Sequence, residues 1–218
     1  MPEKSSRERV STVDALAEAL RGEILNGSLP RGAPLREQDL SRLFGVSRHT
    51  IRTTIQVLSH LGLVNFEANK GAHVAGVDES ELHDLFLART ALETSVVRLL
   101  AGAAGDLPSA AAHLERMGQA PAAERPEADL LFHSALVAAV SSPRLSAMFG
   151  GLLDPMRLAI LTGGPPAAYG DLVLDQDRRL FHALTAGGPT DEVADMVSAH
   201  LRDACAALLA GCRGQLDK

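Results

Sequence analysis

Two residues whose side chains can bind a metal ion interrupt an otherwise apolar helical stretch. Asp129 and His133 lie four residues apart in the segment ADLLFHSALVAAV, residues 128–140. Residues with this spacing share one face of a helix, and Leu136 and Val140 continue that face. Burying an ionisable group is unfavourable unless the group is paired or bound to an ion. The sequence therefore predicts that both side chains meet partners in a core.

Two further ionisable residues interrupt apolar helical stripes in the same way. Asp177 shares a stripe with Leu180 and Leu184, and His200 shares one with Val197. Carboxylate and imidazole groups are ligands for Zn, Ni, Mn and Fe. If these helices surround one cavity, the four side chains can form a metal site with two oxygen and two nitrogen ligands. Alternatively, the site holds no metal and the carboxylates pair with protonated imidazoles.

Arg89 also lies on an apolar helical stripe, beside Phe86, so its guanidinium needs an anionic partner. One interpretation is an internal salt bridge to Glu93 or Asp129. The other is a clamp for a carboxylate effector, because arginine binds carboxylates through two parallel hydrogen bonds. Arg157 is a second candidate for such an effector contact.

Length and composition limit the class of protein. The chain has 218 residues, 46% of them hydrophobic, which suffices for one large domain or two modest ones. No apolar run approaches the roughly 20 residues of a membrane span. The N-terminus has no apolar region typical of a signal peptide. We therefore expect a cytoplasmic protein without a membrane partner.

Charge is distributed unevenly along the chain. Its net charge is −6, yet residues 1–77 carry 10 Lys and Arg against 8 Asp and Glu. No acidic residue lies between Asp39 and Glu67. A locally basic surface on an acidic protein is typical of a small nucleic-acid-binding module joined to another domain.

Three helices and a hairpin are predicted in this basic region. The first helix begins at the cap Ser11, the second ends at Gly45, and the third begins at the cap Ser47. Two short strands flank the turn at residues 69–71. The apolar residues expected to point inward are Leu16, Leu20, Ile24, Leu40, Leu43, Phe44, Ile51, Ile55 and Leu58.

This order of elements predicts a winged helix-turn-helix domain. Arg48 and Arg52 lie on the exposed face of its third helix, which can enter the major groove of DNA. Lys70 and Gly71 lie at the hairpin tip, where they can approach the DNA backbone.

The remaining sequence, from Asp78, predicts only helices. Six helical stretches are separated by segments rich in proline and glycine, which predicts a helix bundle. The expected fold is therefore mostly α. Its parts are a flexible N-terminus at 1–10, a winged-helix domain at 11–77, and an all-helical domain at 78–218 for effector binding and dimerisation.

The N-terminal motifs resemble the DNA-binding domain of GntR-type bacterial transcription regulators. The resemblance rests on LPRGAPLREQDLSRLFGVSRHTIRTTIQVLSHLGLV followed by NKGAHV. Thr50 and Lys70 depart from the family pattern, which has proline and arginine at these positions. The resemblance implies base and phosphate contacts by Arg36, Arg48 and Arg52, contacts near the backbone by His49 and Thr50, and a wing tip at Lys70 and Gly71.

The helical half resembles the FCD domain of the FadR subgroup of that family. The resemblance rests on ARTALE, DLLFHSALVAAVSSPRL and VADMVSAHL. In many FCD domains, one Asp and three His bind a divalent metal. Asp129, His133 and His200 match that pattern, whereas Asp177 occupies the position of the third histidine. We expect zinc at this site, with nickel, manganese or iron as alternatives.

The predicted function is that of a ligand-responsive transcription regulator acting as a repressor. It would bind a double-stranded DNA operator as a homodimer and respond to a small organic acid, with Arg89 and Arg157 contacting this effector. One alternative is a metal-free regulator whose Asp and His groups form internal salt bridges. A metallohydrolase is disfavoured because the sequence has no H-E-x-x-H motif, so we expect no enzymatic activity.

Overall fold

The chain folds as two units, Met1–Val77 and Asp78–Lys218. The computed structural model describes the backbone at residues 2–67, 70–101, 107–164 and 167–216. Within those ranges it describes the side chains from residue 12 to residue 212, except at 167 and 168. This part of the chain is mostly α-helical and has one small sheet, which confirms the predicted fold class.

The first unit has the element order of a winged helix-turn-helix. Its elements are α1 (Pro2–Leu25), α2 (Glu37–Phe44), α3 (Arg48–His60), β1 (Val64–Glu67) and β2 (Gly71–Val74). α1 begins well before Ser11, so the expectation of a flexible segment at 1–10 differs from the helix found over most of it. The segment has strong helix formers, and a proline is well tolerated in the first turn.

The core of the first unit forms where α1 packs against α3. Leu16, Leu20 and Ile24 of α1 are buried, as are the three predicted residues of α3. The prediction for α2 was partly wrong because Leu43 is 74% exposed. α2 has only eight residues, and Leu40 and Phe44 are the apolar residues of its half-buried face.

Local signals end α2 and begin α3. Gly45 caps α2 with φ 65°, a left-handed conformation that glycine adopts without steric strain. The Ser47 hydroxyl accepts a hydrogen bond from the Thr50 backbone N–H at 3.1 Å, which satisfies one free donor of the first turn of α3. Both caps agree with the sequence prediction, and they set the turn between the two helices.

β1 and β2 pair antiparallel, with Val64 opposite Val74 and Glu67 opposite Gly71. The loop before α2 also joins this sheet, because the Leu35 N–H donates to the Ala72 carbonyl at 2.9 Å. The predicted hairpin is therefore present, although positions 68 and 69 of its turn lie outside the described residues. Gly71 has φ 75°, which explains a glycine at the start of β2.

In its described residues, the second unit is a bundle of six α-helices. They are α4 (Glu79–Ala101), α5 (Pro108–Gln119), α6 (Arg125–Ala139), α7 (Pro143–Gly163), α8 (Ala167–Thr185) and α9 (Thr190–Leu216). A short 3-10 helix at Ala122–Glu124 precedes α6. α6 contacts α4, α5, α7 and α8, and α4 packs along α9. α6 is therefore central in the bundle, and side chains on its inner face are screened from water.

α7 is long and apolar enough, by length and composition, to cross a membrane. No such helix was predicted from the sequence. Core helices of soluble proteins meet the same two criteria, and α7 packs against α4, α6 and α9 in the bundle. It also carries a buried carboxylate, Asp154. Only 28% of its apolar window is buried within the unit, and one such helix is weak evidence for a membrane span.

Leu58 and Leu43 provide a matched test of the first core. Leu58 has no exposed surface, so Leu58→Ala should lower the free energy of unfolding by about 2–5 kcal/mol. Leu43→Ala removes the same atoms from an exposed site and should change stability by less than about 0.5 kcal/mol. Chemical denaturation followed by far-ultraviolet circular dichroism measures both effects. Equal losses would contradict the described packing.

Candidate functional site

The first candidate surface lies at the N-terminal end of α3. Arg48 and His49 are the first two residues of α3, and both are exposed. Thr50 is half-buried, and its hydroxyl is 2.8 Å from the Ser47 hydroxyl. Arg36 is exposed at the residue that precedes α2. These positions leave the cationic groups of Arg36 and Arg48 accessible to a polyanion.

Arg52 has an anionic partner that the sequence analysis missed. Its Nε donates to Glu37 Oε1 at 2.8 Å and its Nη2 donates to Glu37 Oε2 at 2.9 Å. Arg52 remains 62% exposed, and its guanidinium lowers the pKa of Glu37. This two-point contact joins α2 to α3. The remaining N–H groups of Arg52 take no part in it. Helical periodicity could not predict this contact, because Glu37 and Arg52 lie on different helices.

Charge at the hairpin is also paired. Lys70 Nζ is 2.6 Å from Glu67 Oε2, and His73 Nε2 is 3.3 Å from Glu67 Oε1. Lys70 and Gly71 remain exposed. The predicted wing tip is therefore accessible, although an acidic residue accompanies its cation.

The second candidate site is a buried cluster in the helical bundle. Asp129 and His133 lie one turn apart on α6, Asp177 lies on α8, and His200 lies on α9. All four side chains are buried, and each offers one potential ligand atom within 4.8 Å of the other three. The structure thus brings together the four residues that the sequence singled out. His182, five residues after Asp177 on α8, is exposed.

The four groups are close to one another. Asp129 Oδ1 lies 3.0 Å from His200 Nε2 and 3.4 Å from His133 Nε2. Asp177 Oδ1 lies 3.4 Å from His133 Nε2. The two imidazole rings are stacked with their centroids 5.0 Å apart. Two carboxylates and two ring nitrogens therefore face one small volume.

Several of these atoms lack a hydrogen-bond partner among the described residues. They are Asp129 Oδ1, His133 Nε2, both carboxylate oxygens of Asp177, and His200 Nε2. Buried polar atoms are almost always satisfied by a hydrogen bond, a water molecule or an ion. The convergence of unsatisfied oxygen and nitrogen atoms fits a cation with mixed O and N ligands.

Partners outside the cluster occupy the other nitrogen of each imidazole. His133 Nδ1 lies 2.5 Å from Glu93 Oε2, and His200 Nδ1 lies 3.0 Å from Gln176 Oε1. Histidine ligands of metals usually direct their second nitrogen to such an acceptor. Glu93 was predicted only as a partner of Arg89, and no role was predicted for Gln176. Gln176 directly precedes Asp177, but a glutamine in a helix carries no signal of this role.

Arg89 is buried beside Glu93, which contacts His133 from outside the cluster. Its Nε donates to Glu93 Oε1 at 2.6 Å, and its Nη2 lies 3.9 Å from Asp129 Oδ2. Nη2 has no hydrogen-bond partner among the described residues. Arg157 contacts a different pair of carboxylates, with Nε 2.8 Å from Glu127 Oε1 and Nη1 3.1 Å from Asp154 Oδ1.

Electrostatics inside the bundle follow from these contacts. Burial by itself would raise the pKa of Glu93, but Arg89 and His133 outweigh it and lower the pKa to about 2. Burial also opposes ionisation of Asp129, yet His133 and His200 bring its pKa well below the ordinary value. Burial would lower the pKa of His133, but Glu93 and Asp129 raise it well above the ordinary value. Asp177 differs, because burial raises its pKa.

The net charge of the buried groups also indicates that the cluster needs additional positive charge. When ionised, the carboxylates of Glu93, Asp129 and Asp177 face a single guanidinium, that of Arg89. Two negative charges then remain if both imidazoles are neutral. Either two protons on the imidazoles or one divalent cation would balance them. The donor atoms fit both possibilities, because a protonated Nε2 could donate to Asp129 Oδ1 and a neutral Nε2 could bind the cation.

Both units match known families. Residues 12–74 match the gntR family of bacterial regulatory proteins, and residues 84–203 match the FCD domain. A solved transcriptional regulator GntR from Rhodococcus sp. RHA1 superimposes with a TM-score of 0.79 at 28% identity. That superposition covers 91% of this chain and 98% of the other.

Two curated relatives are gluconate operon transcriptional repressors. The Bacillus licheniformis protein is 30% identical over 159 residues, which are 70% of this chain and 65% of the relative. The Bacillus subtilis (strain 168) protein is 26% identical over 161 residues, with the same two coverages of 70% and 65%. The chain thus spans just under two thirds of the length of these relatives.

These relatives are regulators and not enzymes, in agreement with the expectation from the sequence. The family matches follow the order of the two structural units, and the FCD match alone covers more than half of the chain. The chain therefore belongs to the GntR family of bacterial regulatory proteins, in the group that carries an FCD domain.

Proposed function

We propose that this chain is a DNA-binding transcriptional repressor whose helical unit binds a divalent metal and a small carboxylate effector. The observation that carries the metal-dependent part is the convergence of four buried ligand atoms that have no hydrogen-bond partner within the described part of the chain. Family membership and the exposed arginines of the first unit support the DNA-binding part.

DNA would meet the N-terminal end of α3. An arginine at the start of a recognition helix can bind guanine through two hydrogen bonds in the major groove. Arg48 has this position, and Arg52 follows one turn later. Arg36, His49 and Thr50 would contact the adjacent backbone, and Lys70 and Gly71 would contact DNA through the wing. Arg52 would have to use its remaining N–H groups or release Glu37 on binding.

Arg48→Ala and Arg52→Ala should each weaken specific operator binding by roughly 10- to 100-fold, because each removes a base or phosphate contact. The operator can first be selected from random duplexes with the wild-type protein. Anisotropy titrations at one fixed salt concentration then measure the affinities. Arg144→Ala, at an exposed arginine of α7, is the matched control and should bind as the wild type does. Retained affinity in either α3 variant would contradict the proposed reading helix.

Asp129, His133, Asp177 and His200 would hold the metal. A divalent ion there would supply positive charge that balances the carboxylates and an open position for an effector oxygen. Zinc accepts mixed nitrogen and oxygen ligands and is our first choice. The second carboxylate also suits manganese or iron, and nickel remains an alternative.

Removing one ligand should remove the metal. After incubation with Zn²⁺, Ni²⁺ or Mn²⁺ and removal of the free ion, elemental analysis of the wild-type protein should give one metal per chain. Asp129→Ala and His133→Ala should retain little or no metal after removal of the free ion, because each removes one of the four ligands and leaves its buried partners without compensating groups. His113→Ala on α5 is the control and should keep the metal. A wild-type protein that retains no metal under these conditions refutes the metal site.

That negative outcome would favour the metal-free alternative, which has its own support. The raised pKa of His133 and the lowered pKa of Asp129 describe groups that can pair as imidazolium and carboxylate. In that form the cluster would be an internal salt-bridge network. The effector would then contact Arg89 without a metal.

The proposed effector is a small organic acid. Arg89 supports this class because its Nη2 is buried, cationic and without a hydrogen-bond partner among the described residues. Arg157 is the proposed second contact, although Glu127 and Asp154 already neutralise much of its charge. The names of the two gluconate-operon relatives support a sugar acid as the first probe.

D-gluconate and D-glucose share a six-carbon hydroxyl skeleton and differ in the carboxylate. Gluconate, or another small acid in a screened panel, should change operator affinity by roughly 5- to 150-fold, the usual range of allosteric coupling. Glucose should have no effect, because it offers no anion to Arg89 or the metal. Excess Zn²⁺ in every titration controls for simple chelation. A response to glucose and to no acid would contradict the proposed class.

A homodimer completes the proposal. α4 exposes Leu87 and Leu99, and α7 exposes Met148, so the helical unit has apolar surface that a second copy can cover. A two-fold dimer would present two winged helices to a near-palindromic operator. A regulator of this kind acts in the bacterial cytoplasm, where the DNA is.

A further inference from the structure

The contact between Glu37 and Arg52 lies on the surface that the proposed recognition helix offers to DNA. Arg52 Nε donates to Glu37 Oε1 at 2.8 Å, and Arg52 Nη2 donates to Glu37 Oε2 at 2.9 Å. Glu37 is the first residue of α2, and Arg52 lies one turn after Arg48 on α3. Water and DNA can reach both side chains, since 62% of the Arg52 side chain and 34% of the Glu37 side chain are exposed.

The two hydrogen bonds use only one edge of the guanidinium of Arg52. A guanidinium is planar and carries five N–H groups, and Glu37 binds the edge formed by Nε and Nη2. The next edge, formed by Nη1 and Nη2, has two parallel N–H groups that these bonds do not use. Such a pair matches the O6 and N7 acceptors that guanine exposes in the major groove. Arg52 can therefore bind a guanine while it stays bound to Glu37.

Glu37 also balances the positive charge of Arg52. The hydrogen bonds from Arg52 lower the pKa of Glu37 against the opposing effect of burial, and the charges of Arg52 and Arg48 lower it further. The carboxylate is therefore ionised at neutral pH, and it repels a DNA phosphate that approaches Arg52. A guanine edge has no net charge, so it gains the hydrogen bonds without this repulsion. The pair thus favours contact with a base over contact with the DNA backbone.

We propose that Glu37 is a specificity-determining residue that orients Arg52 toward a guanine and reduces the attraction of Arg52 for phosphates. This inference rests on the proposed function of Arg52 as a DNA contact, and it adds which part of the DNA Arg52 reads. The alternative is that Glu37 only blocks Arg52 and must be displaced before DNA binds. Neutralising Glu37 would then raise operator affinity at least as much as affinity for random DNA.

Two substitutions that each remove one negative charge separate these possibilities. Glu37→Gln keeps the size of the side chain, and Asp39→Asn makes the matched change two residues later on α2. Asp39 is exposed and accompanies a different arginine, Arg42, at 3.7 Å. Surface ion pairs add little stability, so both full-length variants should fold, which thermal unfolding can verify. Anisotropy titrations over a range of salt concentrations then measure binding to the selected operator and to a random duplex.

Glu37→Gln should lower the ratio of operator affinity to random-duplex affinity by roughly tenfold, because a well-oriented bidentate arginine contact discriminates between bases to about this extent. Its affinity for the random duplex should increase. The slope of log affinity against log salt concentration for that duplex should steepen by about 1, because Arg52 then contacts a phosphate. Asp39→Asn should keep the affinity ratio of the wild type.

A second measurement identifies the base that Arg52 contacts. Single guanines of the operator are replaced by 7-deazaguanine, which lacks the N7 acceptor. At one guanine in each half-site, the replacement should weaken binding of the wild type by roughly tenfold and leave binding of Arg52→Ala unchanged. The same replacement should affect Glu37→Gln less than the wild type, and Asp39→Asn as much as the wild type.

Two results would overturn the proposal. One is an affinity ratio of Glu37→Gln equal to or above that of the wild type. The other is an operator in which no guanine replacement weakens the wild type while sparing Arg52→Ala. In both cases Arg52→Ala can still weaken binding through a lost phosphate contact, so the proposed DNA-binding function would stand. A wild-type protein that selects no operator from random duplexes would instead refute that function.

Discussion

The helical unit depends on how it balances charge in its interior. Three carboxylates, one guanidinium and two imidazoles form one buried cluster among apolar side chains on four helices, apart from a fourth buried carboxylate, Asp154. Like charges cannot remain ionised together in a medium of low polarity unless opposite charges lie close by. Every ionisable group of the cluster therefore requires the others, and removal of one partner leaves a buried charge without compensation.

This constraint gives each layer a distinct role. The inner layer, formed by Asp129, His133, Asp177 and His200, presents atoms that lack hydrogen-bond partners in the described ranges, and a cation or protons could satisfy them. The outer layer consists of Arg89 with Glu93 on one side and Gln176 on the other, and it orients the imidazoles. Asp177 places a second carboxylate in the inner layer, beside Asp129. When both are ionised, they strengthen the demand for positive charge at the centre, whether from a metal or from protons.

In the DNA-binding unit, charges are paired at the surface. Glu37 holds Arg52 in a two-point contact, and Glu67 accompanies Lys70 at the wing. Surface ion pairs of this kind add little stability, because water screens them. They do restrict where a long side chain points, so a cation can be ordered before DNA arrives. DNA phosphates would then compete with the carboxylates, which makes the local salt concentration important for affinity.

The sequence by itself was sufficient to predict the order of elements, the mostly α fold and the four residues of the cluster. Periodicity carried this information, because a polar residue on an apolar helical stripe must be buried wherever the stripe packs. The stripe of α3 was predicted correctly for the same reason. Leu43 was not, since a helix as short as α2 offers too few turns to define its buried face.

Only the tertiary structure decided which polar groups meet. Glu93 faces His133 from α4, Gln176 faces His200 from α8, and Glu37 reaches Arg52 from the preceding helix. A sequence specifies which face of its own helix a residue occupies, but not the distance or rotation of the neighbouring helix. Those are set by packing of the whole core. The partners that orient the histidines depend on that packing, so they became visible only when the helices were brought together.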